Sequence, residues 1–122
     1  MTDLRDAALA RALELPGAVC EHPFGEGVDV LKVAGKVFVI LSPGPPARIT
    51  LKVDPELGRA LVDGEPAVSP GYHMNKRHWI TIDPGGAIDP ELVIGLVEDA
   101  HDLVAPRGNR APAPSEAARL GP

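Results

Sequence analysis

This 122-residue chain has little of what usually carries conspicuous chemistry: one cysteine, three serines and four aromatic rings. The single Cys20 excludes an internal disulfide framework and a structural zinc site built mainly on thiolates. Four rings (Phe24, Phe38, Tyr72 and Trp79) are too few for a platform on which single-stranded bases stack. Two of the serines, Ser42 and Ser69, stand directly before proline, and neither they nor Ser115 lie in a Gly-x-Ser-x-Gly elbow, which argues against a serine hydrolase. Gly25-Glu26-Gly27 opens like a dinucleotide fingerprint but has Val30 where the third glycine belongs. The longest apolar run is Val37-Phe38-Val39-Ile40-Leu41, far below the ~20 residues of a membrane helix. The first residues also lack a basic-then-apolar leader pattern, so a cytoplasmic protein without membrane contact is expected.

What the sequence does have is a 44% apolar composition, enough for one core, with a formal net charge of −5. The charge is segregated. Residues 1–31 carry two arginines against six acids, residues 83–122 three arginines against seven acids, and residues 32–82 seven basic residues against four acidic ones. The middle third alone is basic.

Apolar residues at Leu4, Ala8, Ala12 and Leu15, widened by Leu9 and Leu13, predict an amphipathic helix over residues 2–15, ended by Pro16-Gly17. Between Val28 and Leu41 the period shortens to that of a hairpin, turning at Ala34-Gly35 and continuing into a buried central strand. Strict alternation in Arg48-Ile49-Thr50-Leu51-Lys52-Val53 turns the aliphatics inward and leaves a polar, basic face. Asp54-Pro55-Glu56-Leu57 and Asp89-Pro90-Glu91-Leu92 both read as helix starts, with Asp as N-cap and Pro at the first helical position. Pro70-Gly71 predicts a turn, followed by a basic cluster and a strand through Ile82. The domain is set at residues 1–105. Residues 106–122 are expected to form a disordered Pro/Ala-rich tail.

Candidate site chemistry concentrates in the middle third. His73 and His78 are five residues apart, which points them to opposite faces of a strand, so they cannot chelate one metal in regular structure. Cys20 and His22 would share a strand face and could begin a two-ligand site, although packing is the commoner role of a cysteine. His101, late in the last helix, is read as interacting with C-terminal carbonyls. No metal site and no cofactor are expected. In the strand from Lys76 to Ile82, Arg77, Trp79 and Thr81 alternate with Lys76, His78, Ile80 and Ile82. Either the isoleucines take the core and Trp79 lies beside Arg77 on an open face, or Trp79 is a core ring and the cations are solvated.

The run Pro70-Gly71-Tyr72-His73-Met74-Asn75-Lys76-Arg77-His78-Trp79 resembles the signature of the MmcQ/YjbR-like family of small bacterial proteins. Weaker matching pieces stand in order: Leu15-Pro16-Gly17-Ala18, Pro23-Phe24-Gly25, Gly35-Lys36-Val37-Phe38, Leu51-Lys52-Val53-Asp54-Pro55 and Asp102-Leu103-Val104. The resemblance implies an α+β domain similar to the CyaY-like (frataxin-like) fold, an antiparallel sheet with helices packed on one face and the other open. It also implies DNA binding, by analogy with a "double wing" module, and no established reaction. Frataxin's acidic ridge does not carry over, because Arg5 and Arg11 interrupt the acids of the first helix. Ile80 and His101 depart from the family pattern.

The expectation is thus a non-enzymatic domain whose open sheet face contacts DNA through Lys36, Arg48, Lys52, His73, Asn75, Lys76, Arg77 and Trp79. The alternative is a module that binds a protein or a small anionic ligand without catalysis, a homodimer included.

Overall fold

Three aspartates start the three helices. Asp3 accepts a hydrogen bond from the backbone N–H of Asp6 at the head of α1 (Leu4–Glu14), Asp54 from Glu56 and Leu57 at α2 (Pro55–Gly64), and Asp89 from Glu91 at α3 (Pro90–Val104). Each carboxylate satisfies amides that a helix leaves open and complements its dipole, and proline at the head of α2 and α3 removes an amide that would otherwise lack a partner. The structure is a computed structural model, and it describes residues 3–25, 27–44, 47–71, 75 and 77–106. The tail expected from residue 106 onward lies, apart from Pro106, outside the described residues.

Six strands, β1 (Ala18–Glu21), β2 (Asp29–Val33), β3 (Lys36–Ser42), β4 (Arg48–Lys52), β5 (Val68–Pro70) and β6 (Trp79–Ile82), form one antiparallel sheet in the order β1-β2-β3-β4-β6-β5. The β2–β3 turn puts Ala34 at φ 52° and Gly35 at φ 79°, the backbone handedness that matches the twist of a tight hairpin. Opposite the step from Leu31 to Lys32 the register slips, so that Leu31 faces Val39 while Lys32 faces Val37. The extra residue, Phe38, is thereby turned inward beside Val39, and both are completely buried.

Ile49, Leu51, Ile80, Ile82, Leu31, Val39 and Leu41 share a single core with Ala8 and Ala12 of α1, Leu61 of α2, and Val93, Leu96, Val97 and Ala100 of α3. All three helices therefore cover one side of the sheet, and the domain is α+β with its other side free of helices among the described residues. Close approach is built in at Gly58 of α2, where a Cβ would come within 2.8 Å of a Val53 methyl.

β5 was not anticipated, and β1 only through the strand face supposed for Cys20 and His22. β1 is too short and too mixed to show a period, and β5 falls on the predicted Pro70-Gly71 turn. Pro70 is tolerated in β5 because this is an edge strand, where a missing amide breaks no ladder bond. Leu13, placed in the apolar stripe of α1 by spacing, is 48% exposed.

Candidate functional site

Apart from the bulge in β3, the helix-free face is made of every second residue along each strand. Register sets Ser42 beside Arg48, Thr50 beside Thr81, Lys52 beside Trp79 and Ser69 beside Thr81. The isoleucines win the contest for the core: Ile80 and Ile82 are buried, and Trp79 is turned to the open face, where the Lys52 ammonium lies 5.8 Å from its ring centroid. That distance lies within reach of a cation–π contact. Thr50 and Thr81 share a hydroxyl hydrogen bond of 3.2 Å, and the Ser69 hydroxyl donates to the Thr81 carbonyl. Lys32, further along the face, is paired with Glu21 at 2.9 Å.

Gly71 explains why Trp79 can sit there. Its amide donates to the Trp79 carbonyl at 2.9 Å, and a Cβ at this position would stand 2.6 Å from the Trp79 Cβ. Only glycine fits such backbone contact. Asn75 organises the turn before β6: its side-chain oxygen accepts from the Arg77 amide and its carbonyl from the His78 amide.

The eight residues predicted for the DNA-binding face do not all meet. Arg48, Lys52 and Trp79 lie together on it. Lys36 pairs with Val33, a core residue, and so belongs to the helix-bearing side; the extra residue in β3 shifts the parity that sequence alternation assumes. Arg77 precedes the strand, and it lines a groove with Pro55, Arg59 and Asp63 of α2 and Pro70. Asn75 is exposed in the turn, while His73 and Lys76 lie outside the described residues. His101 does not serve the carbonyls of its own helix. It is fully buried, edge-on to Phe38 at 5.4 Å, with Nε2 2.7 Å from the Pro16 carbonyl.

A second polar cluster lies at the β1–β2 corner, on the helix-bearing side. Asp29 Oδ1 is 2.8 Å from His22 Nε2 and 3.6 Å from Cys20 Sγ, while the Arg5 guanidinium donates to Oδ2 at 2.8 Å and to the Gly27 carbonyl at 2.9 Å. Burial pushes the Asp29 carboxyl up, but the hydrogen bond from His22 and the Arg5 charge outweigh it and hold the group below its usual range. Burial and the Asp29 charge together push the Cys20 thiol up. Both effects disfavour the thiolate form. Sequence reasoning found Cys20 and His22 but not Asp29 or Arg5. Glu21 pairs with Val30, so the ladder brings Asp29 to His22 from a separate strand, and no local spacing announces it.

Comparison with known proteins locates this architecture. A family model described as YjbR matches residues 13–103. The chain is 42% identical over 103 residues to the Escherichia coli O157:H7 uncharacterized protein YbdF, covering 83% of this chain and 84% of that protein. It is 47% identical over 60 residues to the Bacillus subtilis uncharacterized protein YyaQ, covering 45% of this chain and 46% of that one. The crystal structure of Deinococcus radiodurans protein DR2400 superposes with a TM-score of 0.77 at 31% identity, over 99% of this chain and 89% of that chain. A crystal structure of a Pseudomonas syringae protein gives a TM-score of 0.60 at 28% identity, over 68% of this chain and 83% of its own.

Proposed function

The chain belongs to the YjbR family, and from that premise we propose that it is a non-enzymatic DNA-binding domain whose helix-free sheet face contacts the phosphate backbone. The observation that carries this reading is that Arg48 and Lys52 of β4 share this face with Trp79 of β6, on either side of the buried Thr50–Thr81 pair. Cations on one face are groups that proteins use on phosphates, and they position a duplex without reading its bases. Arg48, Lys52 and Lys32, each exchanging its present contact for a phosphate, can neutralise two or three phosphates. At ~0.9 per phosphate this predicts a salt slope of about −2 to −3, so affinity drops about 10- to 40-fold between ~50 and ~200 mM salt. Sequence preference is expected to be weak, because base readout needs further side chains in a groove.

The test is fluorescence anisotropy of a labelled duplex of about 20 base pairs at those two salt concentrations, with an Arg48→Ala/Lys52→Ala double variant. Salt-sensitive binding that the double variant weakens supports the proposal. Absence of binding at low salt by folded protein, or binding indifferent to the double variant, refutes it. A protein partner on the same face is the second reading. It is favoured by the Lys32–Glu21 pair, which consumes one of the face's cations, and by the net charge of −5, which repels a long polyanion.

A further inference from the structure

We infer that Cys20, His22 and Asp29 form a divalent-cation site of the zinc class, on the opposite side of the sheet from the proposed DNA-binding face and independent of it. The three residues offer a thiol sulfur, an imidazole nitrogen and a carboxylate oxygen, all within 4.8 Å of one another. Among the described residues no other group of three such side chains converges in this way.

Two of the three separations suit a tetrahedral ion, and the third, Nε2 to Oδ1, opens by about 0.5 Å on binding. Sγ to Nε2 is 3.9 Å, Sγ to Oδ1 is 3.6 Å and Nε2 to Oδ1 is 2.8 Å. A point equidistant from these atoms and displaced about 0.5–1 Å from their plane lies about 2.1–2.3 Å from each, the range of zinc bonds to sulfur, nitrogen and oxygen. Oδ1 is approached by the imidazole and the thiol at once, a three-way meeting that a cation would replace with direct bonds. Binding requires the Cys20 thiol to release its proton to solvent and His22 to hold its proton on Nδ1, which frees the Nε2 lone pair.

The surroundings support the ligands. Asp29 is oriented by Arg5, whose Nη2 donates to Oδ2 at 2.8 Å and leaves Oδ1 for the metal; a hydrogen-bonded carboxylate of this kind is the usual outer shell of a metal site. Cys20 and Asp29 are held in register by β1 and β2, so two ligands stand on ladder-bonded strands. β1 is an edge strand and His22 is exposed, so the fourth position faces solvent and a water molecule fills it. A mixed thiolate, imidazole and carboxylate set selects a borderline cation such as Zn²⁺ over Mg²⁺ or Ca²⁺, which prefer oxygen alone.

The probe is Co²⁺ titrated into the reduced, tag-free full chain, with absorption spectra recorded and Zn²⁺ and Mg²⁺ as competitors. The expected result is a one-to-one complex with a near-ultraviolet thiolate-to-cobalt band and visible bands of four-coordinate cobalt. Zn²⁺ should abolish these bands and Mg²⁺ leave them. Cys20→Ser should remove the near-ultraviolet band, and His22→Ala and Asp29→Asn should each weaken binding at least tenfold. His22 is exposed and contributes nothing to the core, so His22→Ala remains decisive even if Asp29→Asn unfolds by releasing Arg5. No band at millimolar cobalt, a complex of two chains per metal, or a band unchanged in His22→Ala would overturn the assignment.

Discussion

Adding one methyl group should have opposite effects at two glycines of this domain. At Gly71 a Cβ would stand 2.6 Å from the Trp79 Cβ and 3.0 Å from the Trp79 carbonyl oxygen. Ordinary contacts between carbon atoms are ~3.5–4.0 Å, so the β5–β6 backbones must part by about 1 Å. Overpacking of this kind costs about 1–3 kcal/mol. Losing the hydrogen bond from Gly71 to the Trp79 carbonyl adds about 0.5–1.5 kcal/mol. Gly71→Ala is therefore expected to destabilise by about 2–4 kcal/mol, a fall in Tm of roughly 10–20 °C for a domain of this size. At Gly95, inside α3, a Cβ would meet nothing within 4 Å. There alanine only removes backbone freedom from the unfolded chain, and Gly95→Ala should stabilise by about 0.5–1 kcal/mol. Urea unfolding followed by circular dichroism measures both. Emission from Trp79, the only tryptophan, reports the local displacement in Gly71→Ala. A Gly71→Ala protein within 0.5 kcal/mol of the parent, or an equal loss at Gly95, would refute the close-approach account.

Two further outcomes follow from buried and acidic groups on α3. His101→Ala should cost about 3–5 kcal/mol, because it empties a fully buried ring site against Phe38, whereas His101→Phe keeps the ring and forfeits the bond to Pro16, costing about 1–2 kcal/mol. Chemical denaturation ranks the pair; both lose the bond to Pro16, so the reverse order would mean that a phenyl ring suits the site worse than the cavity left by alanine. Asp99 is exposed, but partial desolvation of its carboxyl first, then the charges of Asp102 and Glu98, raise it above its ordinary 3.8. The folded state then binds the proton more tightly than the unfolded state, so stability contributed by Asp99 declines as pH rises through the window above 3.8 and the penalty is complete at neutral pH. Asp99→Asn should accordingly raise Tm at pH 7 and lose that advantage as pH falls through the carboxylate range; a gain that persists at acid pH would point to a cause other than charge.

The elements legible in the sequence are those whose signal is local. The Asp-Pro-Glu-Leu starts of α2 and α3, the Ala34-Gly35 hairpin and the alternation of β4 all depend on neighbours a few residues away. β5 escaped, and β1 all but escaped, because edge strands of three or four residues carry no period, and their pairing partners lie elsewhere in the chain. The predicted site was half legible for the same reason. Arg48 and Lys52 follow from alternation within one strand, but Lys36 was misplaced by a bulge, and Arg77 by extending the period of β6 back beyond its first residue, Trp79. The corner formed by Arg5, Cys20, His22 and Asp29 draws on α1, β1 and β2 together.

The sequence by itself determined where helices begin, which strand faces are apolar, that the middle third is basic, and the family to which the chain belongs. Tertiary structure alone decided that Ile80 and Ile82 displace Trp79 from the core, that one inserted residue turns Lys36 away from Arg48, and that Asp29 reaches Cys20. Local preferences act over a few residues and can be read in order along the chain. Register and burial are settled by competition among distant segments for a single core, and that competition has no representation in any one stretch of sequence.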